Sequence, residues 1–145
     1  PGPYRKQVSR NVDALQGEGL RILAYDPSAT EGLRSFCASA YEGHYHLETY
    51  YYEDESIKSI GIYAPGADKG KGLAEVMRRL QLDRDQVMVI GDNQNDLPMF
   101  ARARWRIAMG NGTLTTRAAA TSIAPSHDEE GVAWAVRRFV LDALS

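Results

Sequence analysis

The second half of the chain alternates between apolar positions at helical spacing and short runs of continuous apolar residues. Asp68 is placed to cap a helix that runs to residue 80, and apolar residues recur along it at i, i+3, i+4 and i+7. We expect this face of the helix to be buried; it consists of Leu73, Val76, Met77 and Leu80. Residues 87–90 then form an uninterrupted apolar run, which is typical of a strand covered on both faces in a parallel sheet.

The rest of this half repeats the same rhythm of helix and strand. A helix with Pro98 in its first turn is predicted next, followed by a strand over 105–109. Residues 114–120 predict a short helix, and 122–124 a small last strand. The closing helix, over 129–144, is expected to bury Val132, Val136, Phe139 and Val140. Helices that alternate with strands in this way indicate a doubly wound α/β domain.

The first half of the chain is tyrosine-rich and predicts a less regular set of elements. A short helix is predicted over 8–16, a buried strand over 20–25 and a second helix over 28–41. Two segments rich in β-branched and aromatic residues follow, at 44–52 and 57–63, and three acidic residues separate them. This pattern predicts two strands joined by a polar turn.

Composition narrows the possible partners and compartment. The chain has 145 residues, of which 43% are hydrophobic and 25% charged, as is ordinary for a globular domain. Its net charge of −2 gives no attraction to nucleic acid or to an anionic membrane, and no apolar run approaches the roughly 20 residues of a membrane span. The single cysteine, Cys37, cannot form an intramolecular disulfide and indicates a reducing cytoplasm.

A group of polar residues lies where the predicted strand at 87–90 ends. In parallel α/β sheets, ligands bind beyond the carboxyl ends of the strands, and Asp92 falls at that point after Gly91, which permits a sharp turn. Asn95 and Asp96 follow within one helical turn, so they are expected to lie near Asp92. Carboxylates suit Mg²⁺, and Lys69 at the start of a helix suits a phosphate group.

Four segments of the chain carry a family resemblance. Residues 68–73 read D-K-G-K-G-L, 91–100 read G-D-N-Q-N-D-L-P-M-F, 108–111 read A-M-G-N and 128–132 read D-E-E-G-V. The first two resemble the lysine and metal-aspartate motifs of haloacid-dehalogenase-type phosphatases, and the last two resemble the A-M-G-N and D-x-x-G-V segments that follow them in that family. The order and spacing are most similar to those of the Cof-type subgroup, which carries an α/β cap.

The resemblance implies a fold and a division of the chain. It implies that residues 65–145 form the C-terminal part of a Rossmann-like, three-layer α/β/α core. Residues 1–64 would then be an α/β cap domain, or the remnant of one, inserted before the lysine segment. The activity that it implies is Mg²⁺-dependent hydrolysis of a small phosphorylated metabolite, such as a sugar phosphate, through an aspartyl-phosphate intermediate.

Individual roles also follow from the resemblance. Lys69 corresponds to the lysine that binds the transferring phosphoryl group, and Asp92 to a direct Mg²⁺ ligand. Asp96 would support the metal site directly or through water. Asn95 would contact Lys69 or the phosphoryl oxygens, whereas Asn111 is expected to shape its loop.

The nucleophile motif of the family, D-x-D-x-T, has no secure counterpart in the sequence. Asp26 and Ser28 follow an apolar run in a D-x-S-x-T arrangement, but serine cannot shuttle a proton as a carboxylate does. The alternative is that this run is a cap strand. We expect the chain to be a fragment of a longer enzyme. One alternative is a catalytically inactive binding module. The other is a chain whose missing nucleophile strand is supplied by another copy or by a partner chain.

Overall fold

The computed structural model describes residues 21–24, 32, 34–35 and 46–142 of the chain. The first of its sheets is antiparallel and has the order β1-β3-β2, with strands β1 Arg21–Ala24, β2 His46–Tyr51 and β3 Ile57–Tyr63. The three strands predicted in this half are therefore confirmed. Residues 32, 34 and 35 are helical, as predicted, whereas the helix predicted over 8–16 lies outside the described residues.

The second sheet is parallel and has the order β4-β5-β6. Its strands are β4 Met88–Gly91, β5 Trp105–Ala108 and β6 Ser122–Ile123. The helices around it are α1 Lys69–Leu80, α2 Leu97–Phe100, α3 Leu114–Ala119 and α4 Gly131–Val136, which a π-helical turn, Arg137–Leu141, extends. The predicted α/β class is confirmed, and none of the helices in the described part has the length and apolar character that crossing a membrane requires.

Two apolar clusters cover the two faces of the parallel sheet. Val87 and Val89 belong to one cluster with Phe100, against which Leu73 and Met77 of α1 pack. Met88 and Ile90 pack against the other cluster, which contains buried Ile107, Met109, Ala124 and Ala135. Alternate residues of β4 thus point into opposite clusters, and the prediction that this strand is covered on both faces is confirmed.

The predicted buried face of α1 is only half buried. Asp68 caps the helix as predicted, since its Oδ1 accepts a hydrogen bond of 2.7 Å from the Lys71 amide. Val76 and Leu80, however, are 49% and 64% exposed. The helix touches the cluster through Leu73 and Met77, which lie four residues apart, and the rest of the stripe faces away from it.

The buried face of the last helix also differs from the predicted one. Val132, Val136 and Val140 are exposed, whereas Gly131 and Ala135 are buried and Phe139 packs against the second cluster. The position requires glycine, because a Cβ on Gly131 would lie 2.1 Å from the Pro125 carbonyl oxygen. Small residues at i and i+4 set the contact face, and the larger valines are left beside it.

Close packing of α1 on α2 leads to a testable difference between two glycines of the same helix. A Cβ on Gly70 would lie 2.6 Å from the Pro98 carbonyl oxygen, whereas a Cβ on Gly72 would meet nothing within 4 Å. We expect Gly70→Ala to lower the free energy of unfolding by about 2 kcal/mol or more, because packed backbone must move. Gly72→Ala is the control and should raise it by about 0.5–1 kcal/mol. Urea unfolding that gave equal effects would contradict this packing.

Candidate active site

The centre of the site is an ion pair between the first residue of α1 and the loop that follows β4. Lys69 Nζ lies 2.5 Å from Asp96 Oδ1. The Asp96 side chain is only 4% exposed, and that of Lys69 is 45% exposed. The buried carboxylate therefore holds the ammonium group at the end of the helix, while part of the lysine side chain remains open to a ligand.

Asp96 also organises the backbone of the loop. Its second oxygen, Oδ2, accepts hydrogen bonds from the amides of Asp92 at 2.9 Å and Asn93 at 3.2 Å. Gly91 is needed here for space, since a Cβ on it would lie 2.6 Å from that of Asp96. The sharp turn expected at Gly91 is therefore better described as a close approach of a side chain to the backbone.

Asp92 stands at the carboxyl end of β4, where the sequence predicts it. Its side chain is exposed, and its backbone carbonyl accepts a hydrogen bond of 2.9 Å from the Thr113 amide. The backbone is thus fixed by the Asp96 carboxylate on one side and by Thr113 on the other. This arrangement presents the Asp92 carboxylate to solvent at the position where α/β sheets bind ligands.

Asn95 is buried and connects this loop to the antiparallel sheet. Its Nδ2 donates to Glu48 Oε2 at 3.4 Å, whereas its Oδ1 is buried without a hydrogen-bond partner among the described residues. The partner of Lys69 in the ion pair is the next residue along the chain, Asp96. A buried acceptor without a partner is costly, so this amide oxygen is prepared to accept a hydrogen bond from a ligand or water.

Asn93, which the sequence analysis did not single out, ties β2 to the loop. Its Nδ2 donates to the Tyr51 carbonyl oxygen at 2.7 Å, and its Oδ1 accepts from the Tyr51 amide at 3.2 Å. The same oxygen accepts from the Gln94 amide at 3.0 Å, which begins a 3₁₀ turn. An asparagine before a helical turn can be recognised in a sequence as a helix cap. Its hydrogen bonds with the edge of a strand depend on the tertiary structure and could not be predicted in this way.

The turn after β2 makes a further contact with the parallel-sheet part of the chain. Glu55 Oε1 accepts hydrogen bonds from the Thr115 amide at 2.9 Å and from the Thr115 hydroxyl at 2.5 Å. These bonds hold the pKa of the Glu55 carboxyl below its usual value. The antiparallel sheet is thus attached at both the strand and the turn, which fixes it over the loop at 91–96.

One face of β2 carries a polar cluster that faces the ion pair. Residues at alternate positions of the strand, His46, Glu48 and Tyr50, share this face. Glu48 Oε2 accepts a hydrogen bond of 2.9 Å from the Tyr50 hydroxyl, and Glu48 Oε1 lies 3.5 Å from His46 Nε2. The Tyr50 hydroxyl also contacts the hydroxyl of Tyr63 on β3. Burial and these two neighbours raise the pKa of the Tyr50 hydroxyl.

An open cleft separates this cluster from the start of α1. Its volume is about 520 Å³, and it is lined by Glu48, Tyr50, Tyr63, Ala67, Asp68, Lys69 and Asn95. Glu48 and Tyr50 belong to β2, so the antiparallel sheet forms one side of this cleft. Tyr63 was missed, because its place beside β2 follows from the strand register, in which it pairs with His46, and residue spacing does not give that register.

The structure brings together three of the predicted site residues, Lys69, Asn95 and Asp96, and puts Asp92 beside them. Asn111 accepts a hydrogen bond of 2.9 Å from the His127 amide, in agreement with a role in its loop. Asp26 lies outside the described residues. The strand before it, β1, pairs with β3 in the antiparallel sheet rather than with β4, as the cap-strand alternative expects.

The donor set suits a magnesium ion only in part. The exposed Asp92 carboxylate is an oxygen ligand of the preferred kind. Both oxygens of Asp96 are already engaged, by Lys69 and by backbone amides. Within the described ranges, no group of three or more His, Cys, Asp or Glu side chains is arranged to hold a metal. These residues therefore fit an ion that also takes phosphate and water oxygens as ligands.

Residues 18–136 match the family model of haloacid dehalogenase-like hydrolases. Over 78 residues the chain is 37% identical to a phosphoglycolate phosphatase of Nitrosopumilus maritimus, covering 54% of this chain and 34% of that protein. Over 88 residues it is 35% identical to the 5-amino-6-(5-phospho-D-ribitylamino)uracil phosphatase YcsE of Bacillus subtilis, covering 61% and 35%. The chain thus spans about a third of the length of these relatives.

Solved structures share the fold. The protein SMU.1108c of Streptococcus mutans superposes with a TM-score of 0.73 at 23% identity, over 91% of this chain and 48% of that one. The subclass IIB sugar phosphatase BT4131 superposes with a TM-score of 0.65 at 23% identity, over 83% of this chain and 43% of that one. At this identity the likeness establishes the fold alone.

Proposed function

This chain belongs to the haloacid dehalogenase-like hydrolases, and we propose that it forms part of a Mg²⁺-dependent phosphatase acting on a small phosphorylated metabolite. The curated relatives named as phosphatases support this proposal. We propose further that residues 65–145 belong to the catalytic core and residues 1–64 to an α/β cap. We also propose a cytoplasmic location, which the single cysteine of the sequence supports.

The observation that carries the proposal is the ion pair of Lys69 and Asp96 next to the exposed carboxylate of Asp92. A positive charge held at a helix start, beside a carboxylate at the end of a parallel strand, suits a phosphoryl group neutralised by lysine and metal. Catalysis of phosphoryl transfer consists largely of positioning and charge neutralisation, and this geometry offers both.

Each residue then has a distinct role. Lys69 binds the phosphoryl oxygens through its open side, while Asp96 holds its ammonium group from the buried side. The Asp92 carboxylate is the Mg²⁺ ligand, and Asp96 supports the metal site indirectly by fixing the Asp92 backbone. Asn95 lines the same cleft and is available to the phosphoryl group or to the part of the substrate beside it.

Bound Mg²⁺ would supply charge neutralisation for the phosphoryl oxygens. The protein residues bind and orient the ester, so that a carboxylate nucleophile can attack phosphorus while the bond from phosphorus to the ester oxygen breaks and that oxygen leaves as an alcohol, after taking up a proton. Water then hydrolyses the aspartyl phosphate, which releases inorganic phosphate and restores the carboxylate. We propose that this nucleophile comes from a segment of the protein other than residues 46–142. Asp26 is not assigned this role, because the strand that precedes it in the sequence, β1, pairs with β3 in the antiparallel sheet rather than with β4.

Substitution of Asp92 tests the proposed metal ligand. In the full-length protein, Asp92→Asn is expected to raise the Mg²⁺ concentration for half-maximal aryl phosphate hydrolysis by about tenfold or more, because a carboxylate ligand is lost. Its melting temperature should remain close to that of the wild type, since the side chain is exposed.

The matched control is Asp85→Asn, which makes the same change at a side chain that is 72% exposed and lies outside the four segments of the resemblance. It should leave the Mg²⁺ dependence of hydrolysis unaltered. An Asp92→Asn variant with the same Mg²⁺ dependence as the wild type would contradict the assignment of Asp92.

A further inference from the structure

Glu55 has a backbone conformation that is unusual for its residue type. It lies in the turn between β2 and β3 with a φ of +64°, in the left-handed region that glycine adopts without strain. The turn is closed by backbone hydrogen bonds from the Glu55 amide to the Tyr52 carbonyl oxygen at 3.0 Å and from the Tyr52 amide to the Ser56 carbonyl oxygen at 2.8 Å. Neither bond uses the Glu55 side chain, so the turn itself gives no reason for a glutamate at this position.

The contacts of the Glu55 side chain give such a reason. Its Oε1 accepts hydrogen bonds from both the amide and the hydroxyl of Thr115, at the start of α3. Hydrogen bonds to a carboxylate are stronger than those between neutral groups. A glycine in the turn would relieve the backbone but would lose both bonds. A strained residue that is kept for a distant contact points to a role for that contact.

The strand before this turn is held by a second contact, which involves its free edge. β2 is an edge strand of the antiparallel sheet. The amide and the carbonyl oxygen of Tyr51, which would otherwise remain unpaired at this edge, are bonded to the Asn93 side chain at 3.2 and 2.7 Å. Glu55 follows four residues later, so strand and turn are fixed to the parallel-sheet part at two points.

Both points of attachment are directly connected to the backbone of Asp92. Asn93 is the next residue in the chain. On the other side, the amide of buried Thr113 donates to the Asp92 carbonyl oxygen at 2.9 Å, and Thr113 is the residue that caps α3 two positions before Thr115. The placement of the hairpin and the placement of Asp92 are therefore linked through short chains of hydrogen bonds.

We propose that Glu55 is a positioning residue, which fastens the turn to the start of α3 and so keeps β2 against the loop that carries Asp92. It acts through Thr115 and has no contact with Asp92 itself. If the turn detaches, Tyr51 is held at the loop by Asn93 alone, and the population in which the loop is ordered falls. The consequence for turnover rests on the proposed phosphatase function; the placement of β2 does not.

Two substitutions of Glu55 test the proposal in the full-length protein, and the first readout does not depend on activity. Amide hydrogen exchange, followed by NMR, is compared for Tyr51 and for Met109, whose amide donates to the Gly91 carbonyl oxygen in the parallel-sheet part. Glu55→Gly should accelerate exchange of the Tyr51 amide by about tenfold and leave that of Met109 unchanged. Glu55→Gln keeps an acceptor oxygen at the same reach and should stay within about threefold of wild type.

The second readout separates positioning from a general loss of stability. Glu55→Gly should lower kcat/KM for an aryl phosphate by about fivefold, while its melting temperature falls by no more than about 2 °C, because relief of the left-handed backbone offsets the lost bonds. A residue with a purely structural role would change turnover only in step with the melting temperature. Glu55→Gln should recover most of the turnover.

The matched control is Gln81→Gly, which relieves the same kind of backbone at an exposed residue with a φ of 53° at the end of α1. It should leave the Tyr51 exchange rate and kcat/KM within about twofold of wild type. Unchanged Tyr51 exchange in Glu55→Gly, or equal acceleration in Gln81→Gly, would overturn the proposal, and so would full turnover in Glu55→Gly. Absence of hydrolysis by the wild type would count against the phosphatase function alone, since the exchange rates still test the placement of β2.

Discussion

Hydrolysis of an aryl phosphate by the full-length protein is expected to fall by about a thousandfold when Lys69 is replaced by methionine, because the phosphoryl oxygens lose the positive charge aimed at them. The same substitution leaves the Asp96 carboxylate buried and unpaired, so a loss of stability will accompany it. Lys69→Arg separates the two effects. Arginine keeps the charge beside Asp96 but cannot present a compact ammonium group, so turnover should remain low while the melting temperature recovers.

The control for this prediction lies two residues further along α1. Lys71 is 63% exposed in its side chain, and its Nζ is 3.7 Å from Asp68 Oδ2. Lys71→Met removes the same charge from the same helix and should leave turnover within about twofold, as expected for a solvated surface pair. Equal losses of turnover at the two lysines would mean that the net charge of the helix matters, and not the group held by Asp96.

Asp96→Asn is expected to have the largest effect on stability. The carboxylate is almost completely buried and accepts from Lys69 and from two backbone amides, so the isosteric amide loses charge-assisted hydrogen bonds on both oxygens. We expect the free energy of unfolding, measured with urea, to fall by about 2–4 kcal/mol. Activity should fall with it, because both Lys69 and the Asp92 backbone depend on this side chain.

A surface carboxylate provides the comparison. Asp85, whose side chain is 72% exposed, pairs with Arg104 at 3.3 Å. Asp85→Asn should change the free energy of unfolding by less than about 1 kcal/mol. If Asp96→Asn were no more destabilising than Asp85→Asn, Asp96 could not be the side chain that organises the loop.

The elements that position the site could be predicted from local sequence because each carries a local signal. Three such signals are the continuous apolar run of β4, the cap at Asp68 and the proline of α2. Each of them determines the structure of only a few neighbouring residues. The closeness of Asp92, Asn95 and Asp96 follows in the same way from one short turn after a strand. The ion pair of Lys69 with Asp96 is a long-range contact that was not predicted, because the resemblance put Asn95 near Lys69 and gave Asp96 a role at the metal.

The buried faces of the helices could not be read from periodicity alone. A stripe at helical spacing gives the apolar side of a helix, but the neighbouring elements decide how much of that side is covered. In α1 only the part with Leu73 and Met77 meets the cluster, while Val76 and Leu80 do not. In the last helix, Gly131 and Ala135 permit the closest approach, so small residues rather than valines form the contact.

The polar cluster on β2 had a partial signal in the sequence. Alternation along a strand puts His46, Glu48 and Tyr50 on one face, and this much follows from residue spacing. The contacts with Tyr63 and Asn95 depend on strand register and on the placement of the antiparallel sheet against the loop. Those depend on tertiary structure, which residue spacing does not contain.

The measurement that tests the central claim most directly is phosphate release from an aryl phosphate by the full-length protein, with Mg²⁺ and with EDTA. We predict release that requires Mg²⁺ and that is lost in Lys69→Arg although the variant remains folded. No release in the presence of Mg²⁺, or release that continues in EDTA or in the folded Lys69→Arg variant, would contradict the assignment of this site to phosphoryl transfer.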